Sequence, residues 1–539
     1  MTLSPFSRAA AAWLLASGTA LSSSAAIATE LVPQSGGVLT VATNGQEPAC
    51  LDPLVNSTAG VIVSRNFSDS LFWQNEDGSF SPWLAEGFEV SEDGRTYTFT
   101  IRQDVSFTDG AKLNAEAVKI NFDYIVDPKT KSQLGAAYLR QYEKSTVLDE
   151  YTLEVSLSQP YAPFINILAQ SYFALLSPRQ LTEAPQTTCD APIGSGPFKV
   201  VKWNKGSDIH FVRNEDYNWG PPGSHTGPAY VEALDLLFLG EDEVRYNAVL
   251  TGEVDIVDFL PPLRFAEVQA NPDLTFIEAI RPGTSYALHL NNARPPFDDI
   301  RIRQALLAAV DRDAVVEAAS FGAWKAAGYL TSSTPDYDPG SEEGFVYDPA
   351  RANQLLDEAG WNARDSDGIR IKDGKRLTAI APTDGSNQTR RRLTELVQAA
   401  ARDVGIEIRV DLLPWQQTSE KMLSGDYDIF AGLWSSNTAD MLWLRYASAN
   451  IPTPELFGQN VAKHANPEFD ALVEAARGEN DPETRRQLYS EAQKLLVESV
   501  PSIPLYGDPR NATFPAHIHG VKFDYAYLQP YWFDVWKEQ

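Results

Sequence analysis

Apolar and polar positions along this chain follow two periods, one of about two residues and one of about 3.6. Gly37 to Thr43 (GVLTVAT) alternates, with Leu39 and Val41 on one face, and predicts an opening strand. Tyr97 to Ile101 (YTFTI) and Tyr151 to Leu157 (YTLEVSL) alternate in the same way, and Asp109-Gly110 supplies a turn after the first of them. In Ala115 to Ile125 the residues Val118, Phe122 and Ile125 recur at helical spacing. Asp299 to Ala319 places Ile302, Ala305, Leu306 and Val310 on one face, the pattern of a surface helix packed on a core. Asp348 to Trp361 has an Asp cap, proline at the first helical position and Gly360 where a helix should stop. Asp481 to Ser499 repeats that design, opened by Asp481-Pro482. Between these helices, Ile406 to Leu413 and Asp426 to Leu433 read as strands buried in a sheet. Strands and helices alternate throughout, so the class is α/β or α+β.

The first residues follow a different rule. Met1 to Arg8 leads into an apolar run, Ala9 to Leu21, and then to Ala26-Ile27-Ala28, the order of a secretory leader cut before Thr29. The apolar run is shorter than the roughly 20 residues of a spanning helix, and no cysteine follows the cut to carry a lipid. A periplasmic protein without a lipid anchor is therefore expected. Removing 28 residues from 539 leaves about 511, enough for two or three domains. The formal charge is -28, and about -29 without Arg8, which disfavours nucleic acid and anionic membrane surfaces as partners. The only two cysteines, Cys50 and Cys189, are an even pair in an oxidising compartment and form a candidate disulfide, with two buried thiols as the alternative.

Standard cofactor and nucleophile motifs are missing: no P-loop, dinucleotide Gly fingerprint, H-E-x-x-H, C-x-x-C or G-x-S-x-G occurs. No catalytic residue, metal site or cofactor is assigned. Among six histidines only His517 and His519 lie close in sequence, and solvent-exposed polar residues are the better reading. Asp365-Ser366-Asp367-Gly368 resembles the start of a calcium loop, but Arg376 stands where the closing Glu belongs, so a hairpin turn is expected. Aromatic residues are abundant, with Trp415, Trp434 and Trp443 in one stretch. Such faces line ligand clefts, although most aromatic side chains are core.

Several separated segments resemble the extracellular solute-binding proteins of the dipeptide/oligopeptide/nickel type, family 5 or cluster C. They are Leu51-Asp52-Pro53, Ser81 to Glu86 (SPWLAE), Val105 to Gly110 (VSFTDG), Gly194 to Phe198 (GSGPF) and Leu250 to Asp255 (LTGEVD). The most specific is Pro295 to Leu306 (PPFDDIRIRQAL), continuing to Asp311-Arg312. The Asp348 helix, Gly425 to Asp428 (GDYD) and Val500 to Leu505 (VPSIPL) follow in family order. The resemblance implies an α/β, two-lobe periplasmic-binding-protein type II fold with an extra subdomain inserted in lobe I, closing over ligand about a hinge. It implies a leader at 1–28 and a discontinuous lobe I at 29–66, 190–286 and 506–539. The inserted subdomain falls at 67–189 and lobe II at 287–505. A Cys50 to Cys189 bridge would pin the opening strand beside the return at the GSGPF segment.

In peptide-binding relatives a Trp on lobe II begins a loop whose acid pairs with the ligand's α-ammonium. That Trp matches Trp434, and the position three residues on is Asn437, which lacks the charge for such a bond. Asp440 matches an acid in a variant of the loop and is a candidate for ammonium, or for capping the next helix. Arg445 is a candidate for a carboxylate or phosphate, with a structural ion pair as the favoured alternative. Asn44 and Glu47 follow the opening strand and are placed to reach the cleft, or to cap a turn. Tyr286 and His289 sit where the chain crosses between lobes, and a framework role for His289 is favoured.

The function implied is a non-catalytic, monomeric receptor that delivers a small solute, a short peptide first, to an inner-membrane ABC permease. Nickel or metallophore chelates, opine-like conjugates and oligosaccharides are the alternatives within the family. A secreted hydrolase and a periplasmic chaperone or sensor partner are the alternatives outside it.

Overall fold

A computed structural model describes residues 31–44, 47–55, 62–132, 134–384, 387–453 and 458–538, the side chain of Trp415 excepted. The leader at 1–28 and its cut lie outside the described residues. Ten strands build the two central sheets: β1 (Val38–Thr43), β2 (Phe198–Asn204), β3 (Asp208–Arg213), β4 (Ala233–Phe238), β5 (Ile256–Asp258), β6 (Leu274–Ile280), β7 (Gly283–Leu290), β8 (Ile429–Ser435), β9 (Ser502–Tyr506) and β10 (Pro509–Pro515). The larger sheet has the order β6-β10-β5-β1-β4-β3-β2. Its centre is parallel, because β1 pairs in parallel with both β4 and β5. The carboxyl ends of these three strands, at Thr43, Phe238 and Asp258, therefore open on the same side, where α/β sheets characteristically bind ligand.

The second lobe is built around β7, flanked by antiparallel β8 and β9. All eight residues of β7 are buried, so both faces are core and neither Tyr286 nor His289 lies on an open face. A third sheet of four antiparallel strands spans 85–157 and is covered by the helix Ala115–Val126, whose first turn is capped by the Asn114 side chain.

The helices at Pro349–Glu358 and Pro482–Ser499 start from the Asp348 and Asp481 caps read in the sequence. Two readings are corrected. Asp299 to Ala319 is two helices, Ile300–Ala309 and Arg312–Ala319, because Val310 leaves helical geometry and the Asp311 carboxylate caps a new first turn at the Ala314 amide. The strand Glu407–Leu413 is not buried, since it pairs only with Thr378–Asp384 and leaves Arg409, Asp411 and Leu412 exposed. Asp365 to Gly368 forms the turn of a small hairpin, with both of its acids held by Arg376.

Cys50 and Cys189 are joined by a disulfide, and the Leu51 amide donates to the Cys189 carbonyl at 2.8 Å. Closing a loop with a sequence separation of 139 stabilises by about 5 kcal/mol in the chain-entropy model. The GSGPF segment lies flat on the backbone of Asn66 to Ser68, through Gly196 N–H to Phe67 O and Phe198 N–H to Asn66 O. A Cβ on Gly194 or Gly196 would come within 2.0 or 2.4 Å of Phe67 backbone atoms, which is why this contact demands glycine.

Candidate functional site: the interlobe cleft

β8 ends at Ser435, and the loop 436–440 packs against Gln74, Tyr161, Asn166 and Gln170. The contacts across this junction are polar. Trp434 Nε1 donates to Tyr138 OH at 3.2 Å. Gln170 Nε2 donates to Ser436 Oγ at 2.8 Å and to Asn437 Oδ1 at 2.6 Å. Asn437 Nδ2 in turn donates to Gln74 Oε1 and to the Asn166 carbonyl, both at 2.7 Å, and the Asn166 amide returns to the Asn437 carbonyl at 3.1 Å. Asn437 is fully buried, and the residue standing where peptide receptors carry an acid is thus an amide that zips the two halves together. Its two donors face two acceptors, an arrangement a carboxylate could not enter without repulsion.

Asp440 is likewise committed. Its side chain makes no capping bond to the helix Met441–Tyr446 that follows, which removes the capping alternative. Tyr161 OH donates to Oδ2 at 2.9 Å, and Arg477 Nε lies 2.7 Å from Oδ1, an ion contact off the line of a hydrogen bond. Burial raises the Asp440 pKa, and Arg477 and Tyr161 oppose that shift. The Arg477 guanidinium also sits over the Trp443 ring at 3.7 Å. A cavity of about 110 Å³ opens beside this pair, lined among others by Tyr138, Arg140, Tyr161, Asp440, Trp443 and Arg477. Among the described residues Arg140 has no hydrogen bond or ion pair, and it rests 5.0 Å over Trp443 with its charge available to the cavity. Burial and the neighbouring Arg477 both lower its pKa.

The other residues read from the sequence scatter. Arg445 is buried with no carboxylate partner among the described residues, bound instead to His289 Nε2 at 2.7 Å and to Gln459 at 3.5 Å. Among the described residues the favoured ion pair for Arg445 is therefore absent. Because the guanidinium can only donate, His289 accepts at Nε2 and its Nδ1–H donates to Ser502 Oγ at 2.7 Å. Burial and Arg445 hold the His289 pKa well below its ordinary value, so it is neutral framework. Tyr286 is buried beside Tyr506 and under Arg390. Glu47 turns away from the cleft to take Trp203 Nε1 and the Gly206 amide. Asn44 lines a second, smaller cavity of about 20 Å³ at the carboxyl ends of the parallel strands, with Thr43, Asn66, Asp258, Arg510 and Trp532. Trp415 opens the helix Trp415–Ser424, and its side chain is outside the described residues. Sequence reasoning missed Tyr138, Arg140, Tyr161, Gln170 and Arg477, all brought in by long-range packing. The only local signal for any of them was the aromatic-basic run Tyr138-Leu139-Arg140.

This two-lobed arrangement is shared with known proteins. The family model described as bacterial extracellular solute-binding proteins, family 5 Middle, matches residues 79–450. The chain belongs to family 5. It is an extracellular solute-binding receptor of the ABC-importer class, a class of periplasmic proteins. It is 30% identical over 508 residues to the glutathione-binding protein GsiB of Salmonella typhi, an alignment covering 92% of each chain. GsiB of Escherichia coli K12 is 28% identical over 476 residues, covering 86% of this chain and 87% of that one. Among solved structures, the oligopeptide-binding protein AppA of Bacillus subtilis with a nonapeptide superposes at a TM-score of 0.80 and 23% identity, covering 94% of this chain and all of AppA. NikA of Brucella suis with Fe(III)-EDTA superposes at 0.81 and 25% identity, covering 93% of this chain and all of NikA.

Proposed function

We propose that this family 5 receptor captures a short peptide, of the size of a di- to pentapeptide or of glutathione, between its lobes and hands it to an inner-membrane permease. The observation that carries the reading is the polar junction at Trp434 to Asp440, where side chains from distant parts of the chain join by hydrogen bonds across the cleft. A hinge that closes two lobes over a solute suits capture and release. The kinship with glutathione-binding and oligopeptide-binding proteins supports a peptide over a sugar. The leader at 1–28 exports the chain, the mature receptor works as a monomer, and its lobes divide near residues 287 and 505.

Titration calorimetry with glutathione, dipeptides and a mixed set of tri- to pentapeptides tests the reading. Saturable heat with at least one of them is expected, and no heat at any protein concentration would overturn the peptide assignment. Mass spectrometry of ligand released from the purified protein by mild denaturation identifies the natural cargo.

A further inference from the structure

The cavity of about 110 Å³ beside Asp440 is walled by two stretches far apart in sequence, and the charges around it are unequally engaged. The Asp440 carboxylate is occupied by Tyr161 and Arg477. Glu474, the other acid that attracts Arg140, accepts from Trp443 Nε1 at 2.5 Å and pairs with Arg477 at 3.3 Å. Arg140 is left over. It stands between the short helix Leu134–Tyr138 and the strand Tyr142–Asp149, so ordered backbone on both sides sets its place at the cavity. The Trp443 ring supports its guanidinium, whose N–H groups donate to none of the described residues.

A guanidinium carries five N–H donors in a planar fork and no acceptor, and two of those donors match the two oxygens of a carboxylate. The charge still open at this cavity is therefore a donor. Asp440 is the one acid among the described lining residues, and with its carboxylate spent the cavity offers an ammonium no partner. Leu134, Ala137, Met441 and Leu444 make the neighbouring wall apolar, which suits a methylene and not a second charge. Size narrows the guest further. A cavity of about 150 Å³ admits the six heavy atoms of benzene, so one of about 110 Å³ admits about four or five. The α-carbon and carboxylate of a terminal glycine meet that count, and a phenylalanine side chain alone exceeds it. Arg140 is exposed, which gives a solute access to it from the surface.

We propose that Arg140 binds the terminal carboxylate of the solute and that the cavity beside it selects glycine, or a residue of similar size, as the last residue. The assignment rests on the peptide reading and deepens it. The solute is held by its carboxyl end, while Asn437 and Asp440, both committed inside the protein, leave its amino end without a charged partner in their loop.

The test is calorimetry on the whole protein with Ala-Ala-Gly, its C-terminal amide and Ala-Ala-Phe, and with glutathione and its glycine amide as a second matched pair. Amidation is expected to weaken binding about 10-fold, the size of a partly exposed charge-assisted contact. Ala-Ala-Phe should bind at least about 10-fold more weakly than Ala-Ala-Gly, because the larger side chain overfills the cavity. Arg140→Gln should weaken each acid by about 10-fold and leave each amide within about 3-fold of its wild-type affinity, since both changes remove the same interaction. Amides that bind within about 3-fold of their acids, or Ala-Ala-Phe that matches Ala-Ala-Gly, would overturn the carboxyl-end site and leave the peptide receptor standing. Binding of other peptides with neither Ala-Ala-Gly nor glutathione bound would do the same. No binding of any peptide removes both readings. Should Arg140→Gln not fold, the wild-type series decides alone.

Discussion

Two buried acid–arginine sites face the cleft, and they are built differently. At the lobe junction Asp440 has Arg477 at 2.7 Å, Tyr161 at 2.9 Å and an aromatic ring behind the guanidinium, so its charge is spent inside the protein. At the sheet ends Asp258 and Arg510 line one small cavity with no hydrogen bond or ion pair to a described residue, and Arg510, Arg281 and Arg245 only oppose from a distance the rise that burial gives the Asp258 pKa. The first site is closed on itself by short contacts, and the second is held only by longer-range attraction between its charges. The difference teaches that an acid's place in a family motif says less about its role than whether its partners are already present.

Breaking the closed site should have the largest effect. Arg477→Met leaves Asp440 buried and uncompensated and is expected to lower unfolding stability by about 3–5 kcal/mol in urea titrations. Asp440→Leu combined with Arg477→Met should recover most of that loss, whereas an Asp440 bound mainly to ligand would give a small effect in the single variant.

Asp69 sharpens the comparison as an acid surrounded mostly by neutral donors. It is fully buried, accepts from Ser195 Oγ and Trp219 Nε1, and burial pushes its pKa up to about 7 although Arg65 and the donors oppose the shift. The folded state therefore holds a proton that the unfolded chain releases near pH 4. Stability from this group is fully present below that range and is lost as pH rises toward 7, by about 3 kcal/mol between about pH 4.5 and 7. Denaturant titrations across that window should show the slope, and Asp69→Asn should remove it.

The smallest effect falls on the amide junction. Asn437→Asp sets a carboxylate against Gln74 Oε1 and the Asn166 carbonyl and is expected to weaken the closed form by about 1–3 kcal/mol. Small-angle scattering with a bound peptide should show a more open molecule than the wild type. An unchanged profile would mean that the junction does not hold the lobes.

What could be read locally was read well where a side chain answers to its own neighbours in sequence. The Asp348 and Asp481 caps, the Asp365 turn and the opening strand follow from short-range patterns, and the ordered family motifs identified the two-lobe fold. The same reading ran Ile300–Ala309 and Arg312–Ala319 together, because apolar spacing continues across Val310 while the Asp311 cap does not. At the site, Asp440 and Asn437 were chosen by their position in a motif, yet their roles are set by Tyr161, Gln170 and Arg477, which are hundreds of residues away or on another helix.

The sequence alone thus determined the fold class and the receptor family, because periodicity, capping and motif order are properties of contiguous residues. Only the tertiary structure decided which charges are free. Whether Asp258, Arg510 or Asp440 meets a partner depends on where strands and helices distant in sequence come to rest, and the energy of a buried charge is fixed by that surrounding rather than by the residue itself.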